Sequence, residues 1–182
     1  MARIGLTPDE LLVDTWSRPP ASYAARLPGL NVLAGETLAL VGSGTDVLLE
    51  RLSDALAPCT IVDGSVAAAG GVLRVHAQQA ARVGVRALAI SDPFDPPLSP
   101  AARALAVADL AGLGSLGLTT VVAIADSALA ALVADRVVVV ADGEPQVAYP
   151  VVARTPRTLA DVAPVLDRLR RRVRPAVAPL GA

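Results

Sequence analysis

The stretch AGETLALVGSGTDVLLERLSDALA, residues 34–57, carries the decisive local pattern. TLALVG at 37–42 is an unbroken apolar run of strand length, as expected of a strand covered on both faces. It ends on Gly42, and Ser43-Gly44 leads straight into residues 45–57, where Val47, Leu48, Leu52, Ala55 and Leu56 recur at helical spacing. Strand, glycine turn and helix therefore follow in order. Glycines let a backbone approach an anion, and a helix N-terminus presents unpaired amides at the positive end of its dipole.

The alternation continues outward. Residues 85–92, 118–125 and 136–141 read as further buried strands, and 100–113, 127–133 and 159–173 as helices. Thr158 is placed to cap the last helix, and residues 72–84 are helical in their second half. Residues 10–15 and 30–33 read as short strands flanking a Pro-containing loop at 17–28. Residues 59–67 read as a hairpin about Asp63-Gly64, and Asp142-Gly143 as a turn into 146–151. Such an order implies an α/β fold with a mainly parallel sheet and helices on both faces. No linker, repeat or low-complexity tract interrupts it, so residues 1–182 are expected to form one domain.

Composition narrows the chemistry. At 182 residues, 53% hydrophobic and 18% charged, the chain suits a buried core and is too apolar for disorder. All 16 basic residues are arginine. Without lysine there is neither Schiff-base catalysis nor a lysine-dependent phosphate site. His76 and Cys59 alone offer nitrogen or sulfur to a metal, which excludes an ordinary structural zinc site. Any Ser-His-Asp or Cys-His arrangement would have to use His76. A net charge of −1 makes no global case for nucleic acid. Asp9 and Glu10 argue against a signal peptide, and the longest uncharged stretch, 110–125, is too short and glycine-broken to span a bilayer. A cytoplasmic location is expected, with contact at the inner face of a membrane left open.

In open α/β sheets, ligands sit beyond the carboxyl ends of the strands. Three such ends carry candidate groups: Gly42-Ser43-Gly44-Thr45, Ser91-Asp92 and Ala125-Asp126. A phosphate cradle beside carboxylates is how a magnesium-nucleotide site is arranged.

This order of segments resembles the ATPase domain of ABC transporters, within the P-loop NTPase superfamily. AGETLALVGSG-TDVLL is similar to the family's phosphate-loop region, and DGSVAAAG to the hairpin after it. RALAISDPFDPPLSPAAR is similar to the second nucleotide motif, and QQAARVGVRAL to the segment after the signature. LTTVVAIADSALAALVADRVVVVADGEP resembles the switch-histidine strand and the Asp-Arg strand beyond it. The resemblance spans about residues 11–148. It implies ATP and Mg²⁺ as cofactors, Gly42, Ser43, Gly44, Thr45 and Asp126 as nucleotide-binding positions, and Trp16 or Tyr23 as an adenine-stacking aromatic. It also implies Asp92 as a catalytic or Mg-linked carboxylate, with Ser91 at the neighbouring Mg-linked position.

The departures are specific. Thr45 stands where the family has its phosphate-loop lysine, and Asp46 where it has the Mg-binding Ser or Thr. Aligned on Pro93, Asp92 takes the glutamate's place and Ser91 the aspartate's. Alternatively Asp92 is the Mg-linked residue and Pro93 replaces the glutamate. Ala125 replaces the switch histidine. The stretch from Gly71 to Arg86 is too short for the helical subdomain and holds no signature motif.

Three functions remain open. One is a degenerate, non-hydrolysing cassette protein, a structural or regulatory subunit of an active cassette ATPase or another complex. Another is a divergent ATPase in which Arg51, Arg82 or Arg86 replaces the lysine. The third is a nucleotide-independent binding module using the Arg-rich helix at about 158–174, whose Arg168, Arg170, Arg171, Arg172 and Arg174 either complement the helix dipole or meet an acidic partner. For Asp126, capping of the 127–133 helix is the competing structural role.

Overall fold

The computed structural model describes residues 23–63, 72–94, 98–152 and 157–173. Two short strands, β1 (Tyr23–Leu27) and β2 (Leu30–Leu33), pair antiparallel around Pro28-Gly29. β3 (Thr37–Gly42) then runs into α1 (Thr45–Ala55). There follow β4 (Cys59–Val62), α2 (Val72–Arg82), β5 (Ala87–Ile90) and α3 (Pro100–Gly112), which ends in a 3₁₀ turn at Leu113–Leu116. β6 (Thr119–Ala123), α4 (Ser127–Val133), β7 (Arg136–Ala141), β8 (Glu144–Pro150) and α5 (Leu159–Arg172) complete the order.

β3 lies inside a six-stranded sheet ordered β4-β5-β6-β3-β7-β8. All neighbours are parallel except β8, which returns antiparallel along β7. The alternation of β3 explains its place. Leu38 and Leu40 enter one apolar layer with Leu48 and Leu52 of α1. Ala39 and Val41 face the opposite layer, with Leu110, Leu129, Val162 and Leu169. Burying each such leucine contributes roughly 2 kcal/mol, so both faces of the strand must be covered.

Helix starts follow the expected chemistry. The Ser99 side chain accepts the Ala102 amide ahead of Pro100, and Thr158 forms a reciprocal capping box with Asp161. Other expectations are corrected. β4 joins the main sheet parallel to β5; residues 64–67, which complete the hairpin expected about Asp63-Gly64, lie outside the described residues. β1 falls within the stretch read as a loop, because Pro28-Gly29 closes a hairpin that its weak alternation did not announce. α2 begins at Val72 rather than midway through its segment. Residues 10–15 lie outside the described residues.

The amino ends of the central strands are held by polar side chains. Arg136 reaches Glu36 through Nε at 3.0 Å and a terminal nitrogen at 2.6 Å, while Glu36 also accepts the Leu33 amide. Asp135 accepts the Thr37 amide at 2.9 Å. Glu36 is buried, which pushes its pKa up against the opposing pull of Arg136 and the Leu33 amide. No helix among the described residues is long and apolar enough to cross a membrane.

Candidate functional site

The carboxyl ends of β3, β5 and β6 bring together the glycine turn, Ser91-Asp92 and Ala125-Asp126. β6 lies between the other two strands, so Ala125 and Asp126 stand between the turn and Asp92.

The glycine turn is tight: β3 ends at Gly42 and α1 starts at Thr45, leaving only Ser43 and Gly44 between. Both glycines have positive φ, 124° and 70°. A Cβ on Gly42 would collide with the Val140 carbonyl, and one on Gly44 with the Gly143 backbone. Glycine is therefore demanded here by the β7–β8 hairpin. The Ser43 amide donates to Val140 O at 3.1 Å, and the Gly143 amide to Ser43 O at 3.2 Å. The Asp142 amide donates to Ser43 Oγ at 3.0 Å. Arg51, a candidate substitute for the missing lysine, instead pairs with Glu144 at 2.7 Å. Thr45 and Asp46 occupy the first turn of α1, Thr45 half-buried and Asp46 exposed.

Asp92 serves two backbone amides. One oxygen accepts from Phe94 at 3.1 Å and the other from Ala125 at 3.3 Å. Ser91 is exposed, and its amide donates to Val62 O. Asp126 caps α4, accepting from Ala128 at 2.7 Å and Leu129 at 3.3 Å. Arg82 and Arg86 lie at the amino end of β5, the opposite edge of the sheet from these groups. Trp16 and Arg174 fall outside the described residues. The ring of Tyr23 already carries the Arg26 guanidinium, 4.2 Å from its centroid.

Sheet order, glycine turn and helix now stand together. The fold is P-loop NTPase-like.

Among solved structures the chain is similar to cbiO1 of Clostridium perfringens, part of the ABC transporter complex cbiONQ. That match has 16% identity and a TM-score of 0.49, over 79% of this chain and 86% of that one. A KaiC-like protein of Pyrococcus horikoshii is similar at 15% identity and TM-score 0.49, over 66% of this chain and 81% of that one. No family model matches the chain, and no curated protein is similar to it.

The fit of this P-loop-like arrangement to a magnesium-bound nucleotide is partial. A helix N-terminus and a carboxylate stand at neighbouring strand ends, as such a site requires. The lysine is missing, however, and the space beside each glycine is filled by hairpin backbone. Among the described residues no three His, Cys, Asp or Glu side chains gather to hold a metal. His76 is exposed on α2. Burial raises the pKa of the half-buried Cys59 thiol, which opposes thiolate formation and nucleophilic use.

The contact of Asp142-Gly143 with the glycine turn was not legible beforehand, since it joins residues about a hundred positions apart. An apolar groove between α3 and α4, with Arg103 and Arg157 among its lining residues, was also missed. Its walls are rich in alanine, which signals neither core nor surface.

Proposed function

We propose that the chain is a non-hydrolysing P-loop-type subunit that supports an active cassette ATPase or another complex, with residues 1–182 acting as one unit. The observation that carries this reading is the closure of Gly42-Ser43-Gly44 onto the Asp142-Gly143 hairpin in a chain without lysine. A phosphoryl-transfer site works by positioning and charge stabilisation around the phosphates. Here Arg51 pairs with Glu144, and both Asp92 oxygens accept backbone amides. What is retained is the scaffold. Near β4, which is an edge strand among the described residues, Ile61 is 66% and Val83 80% exposed, in keeping with a protein neighbour.

The test is direct titration of ATP into the purified protein, with and without Mg²⁺, followed by a hydrolysis assay. The expected outcome is no turnover, with any binding unchanged by Asp92→Asn. Turnover removed by Asp92→Asn would overturn this reading in favour of a divergent ATPase. ATP and Mg²⁺ would then belong at Gly42–Thr45, Ser91, Asp92 and Asp126. Truncation after Asp167 separates out the third reading, because partner binding through the arginine-rich end of α5 would be lost with it.

A further inference from the structure

We infer that the groove between α3 and α4 binds a small amphiphilic anion, an apolar chain ending in a carboxylate. This inference is independent of the nucleotide question.

α3 has the sequence PAARALAVADLAG, with Arg103 and Asp109 as its only charged residues. A helix that is apolar nearly all round belongs in an interior. Yet only Ala106 and Leu110 of α3 are buried, and Leu105 is 54% exposed. The uncovered side of α3 and the facing side of α4 enclose a groove of about 750 Å³. That volume lies in the range of small-molecule sites, which are mostly apolar with a few polar groups that fix orientation. Leu98, Val107, Leu129 and Leu132 supply the apolar walls.

Among the described residues the charge is of one sign: Arg103 and Arg157 both line the groove, and no acidic side chain does. Arg157 is fixed in place, with its side chain 4% exposed and paired to Asp135 at 3.3 Å. Arg103 has no carboxylate partner among the described residues and is exposed at the groove. A guanidinium beside an apolar channel calls for an anionic head, since arginine pairs with carboxylate through two parallel N–H bonds. An apolar cation would meet the like charge of Arg103. A neutral apolar molecule would leave Arg103 without a partner.

Decanoate is the probe, titrated into the full chain by calorimetry below its micellar concentration, with decyltrimethylammonium as the cationic control. Saturable decanoate binding and no binding of the cation are expected. Arg103→Gln should weaken decanoate roughly tenfold, the loss of one charge-assisted contact. Ala108→Trp, which fills the groove from an exposed helix position, should abolish binding. Thermal unfolding of each variant checks that the fold is retained. Equal uptake of anion and cation, decanoate binding indifferent to both substitutions, or no binding at millimolar decanoate would each overturn the assignment. The last result is also what a protein segment already lying in the groove would give.

Discussion

The Asp92 carboxylate accepts the Ala125 amide at 3.3 Å, so one side chain ties the end of β5 to the end of β6. With its second oxygen on the Phe94 amide, it also sets the course of the chain after Pro93. Asp92→Ala should therefore cost about 1–2 kcal/mol, read by urea unfolding. Asp92→Asn, which keeps an acceptor oxygen, should cost less. An alanine variant as stable as the parent would remove this structural role.

The glycine turn makes a sharper demand. Gly42→Ala places a Cβ against the Val140 carbonyl at a φ that L-residues rarely adopt. A loss of at least about 2 kcal/mol is expected. Gly84→Ala is the control, since it also has positive φ but nothing lies within contact of its Cβ. It should cost only the backbone strain. Chemical denaturation of the two variants separates collision from strain.

Glu36 and Arg136 form a largely buried ion pair, with side chains 4% and 22% exposed. Arg136→Met leaves Glu36 buried without its cation, at an expected cost of about 3 kcal/mol. Glu36→Gln in the same chain should recover much of that loss. The order of stabilities in a double-mutant cycle checks the claim.

The same glutamate imposes a pH dependence. Its pKa in the folded state lies above the ordinary value of 4.5, chiefly through burial. Folding therefore disfavours its ionised form. Its contribution is greatest below 4.5 and is lost as pH rises through the higher folded value. The stability of the parent relative to Glu36→Gln should fall over that window. A difference that stays flat, or grows with pH, would contradict the sign.

At the start of α5, Thr158 accepts the Asp161 amide while Asp161 accepts the Thr158 amide. Thr158→Ala should cost about 1 kcal/mol, a usual value for a lost N-cap. Asp161 behaves oppositely to Glu36. Its pKa is lowered below 3.8 by hydrogen bonds from Thr158, so its contribution is present above that value and disappears on further acidification. Thermal unfolding of the Thr158→Ala protein at neutral and acid pH reads both effects.

What the sequence disclosed was local. The apolar runs at 37–42 and 136–141 are β3 and β7, and Asp126 and Thr158 cap helices as their side-chain chemistry suggests. β1 escaped notice because only Ala25 among its five residues is buried, so no alternation marks it. The closure of the glycine turn was hidden for another reason. Gly42 and Gly44 look the same in sequence whether their open side meets an anion or the backbone of a distant hairpin. Only the register of β3 against β7, with Gly42 beside Val140, distinguishes the two. Arg51 was equally ambiguous, since its partner Glu144 lies far along the chain.

The inner position of β3 has a consequence for synthesis. Its two neighbours are supplied by residues 120–123 and 136–140, long after residues 37–42 have left the ribosome. Until then TLALVG has both hydrogen-bonding edges open, and pairing must await the closure of long loops. A nascent chain halted before β7 is made would carry an exposed apolar strand, a template for joining other chains. Yield from expression should therefore be more sensitive to truncation between β6 and β7 than to loss of residues beyond α5.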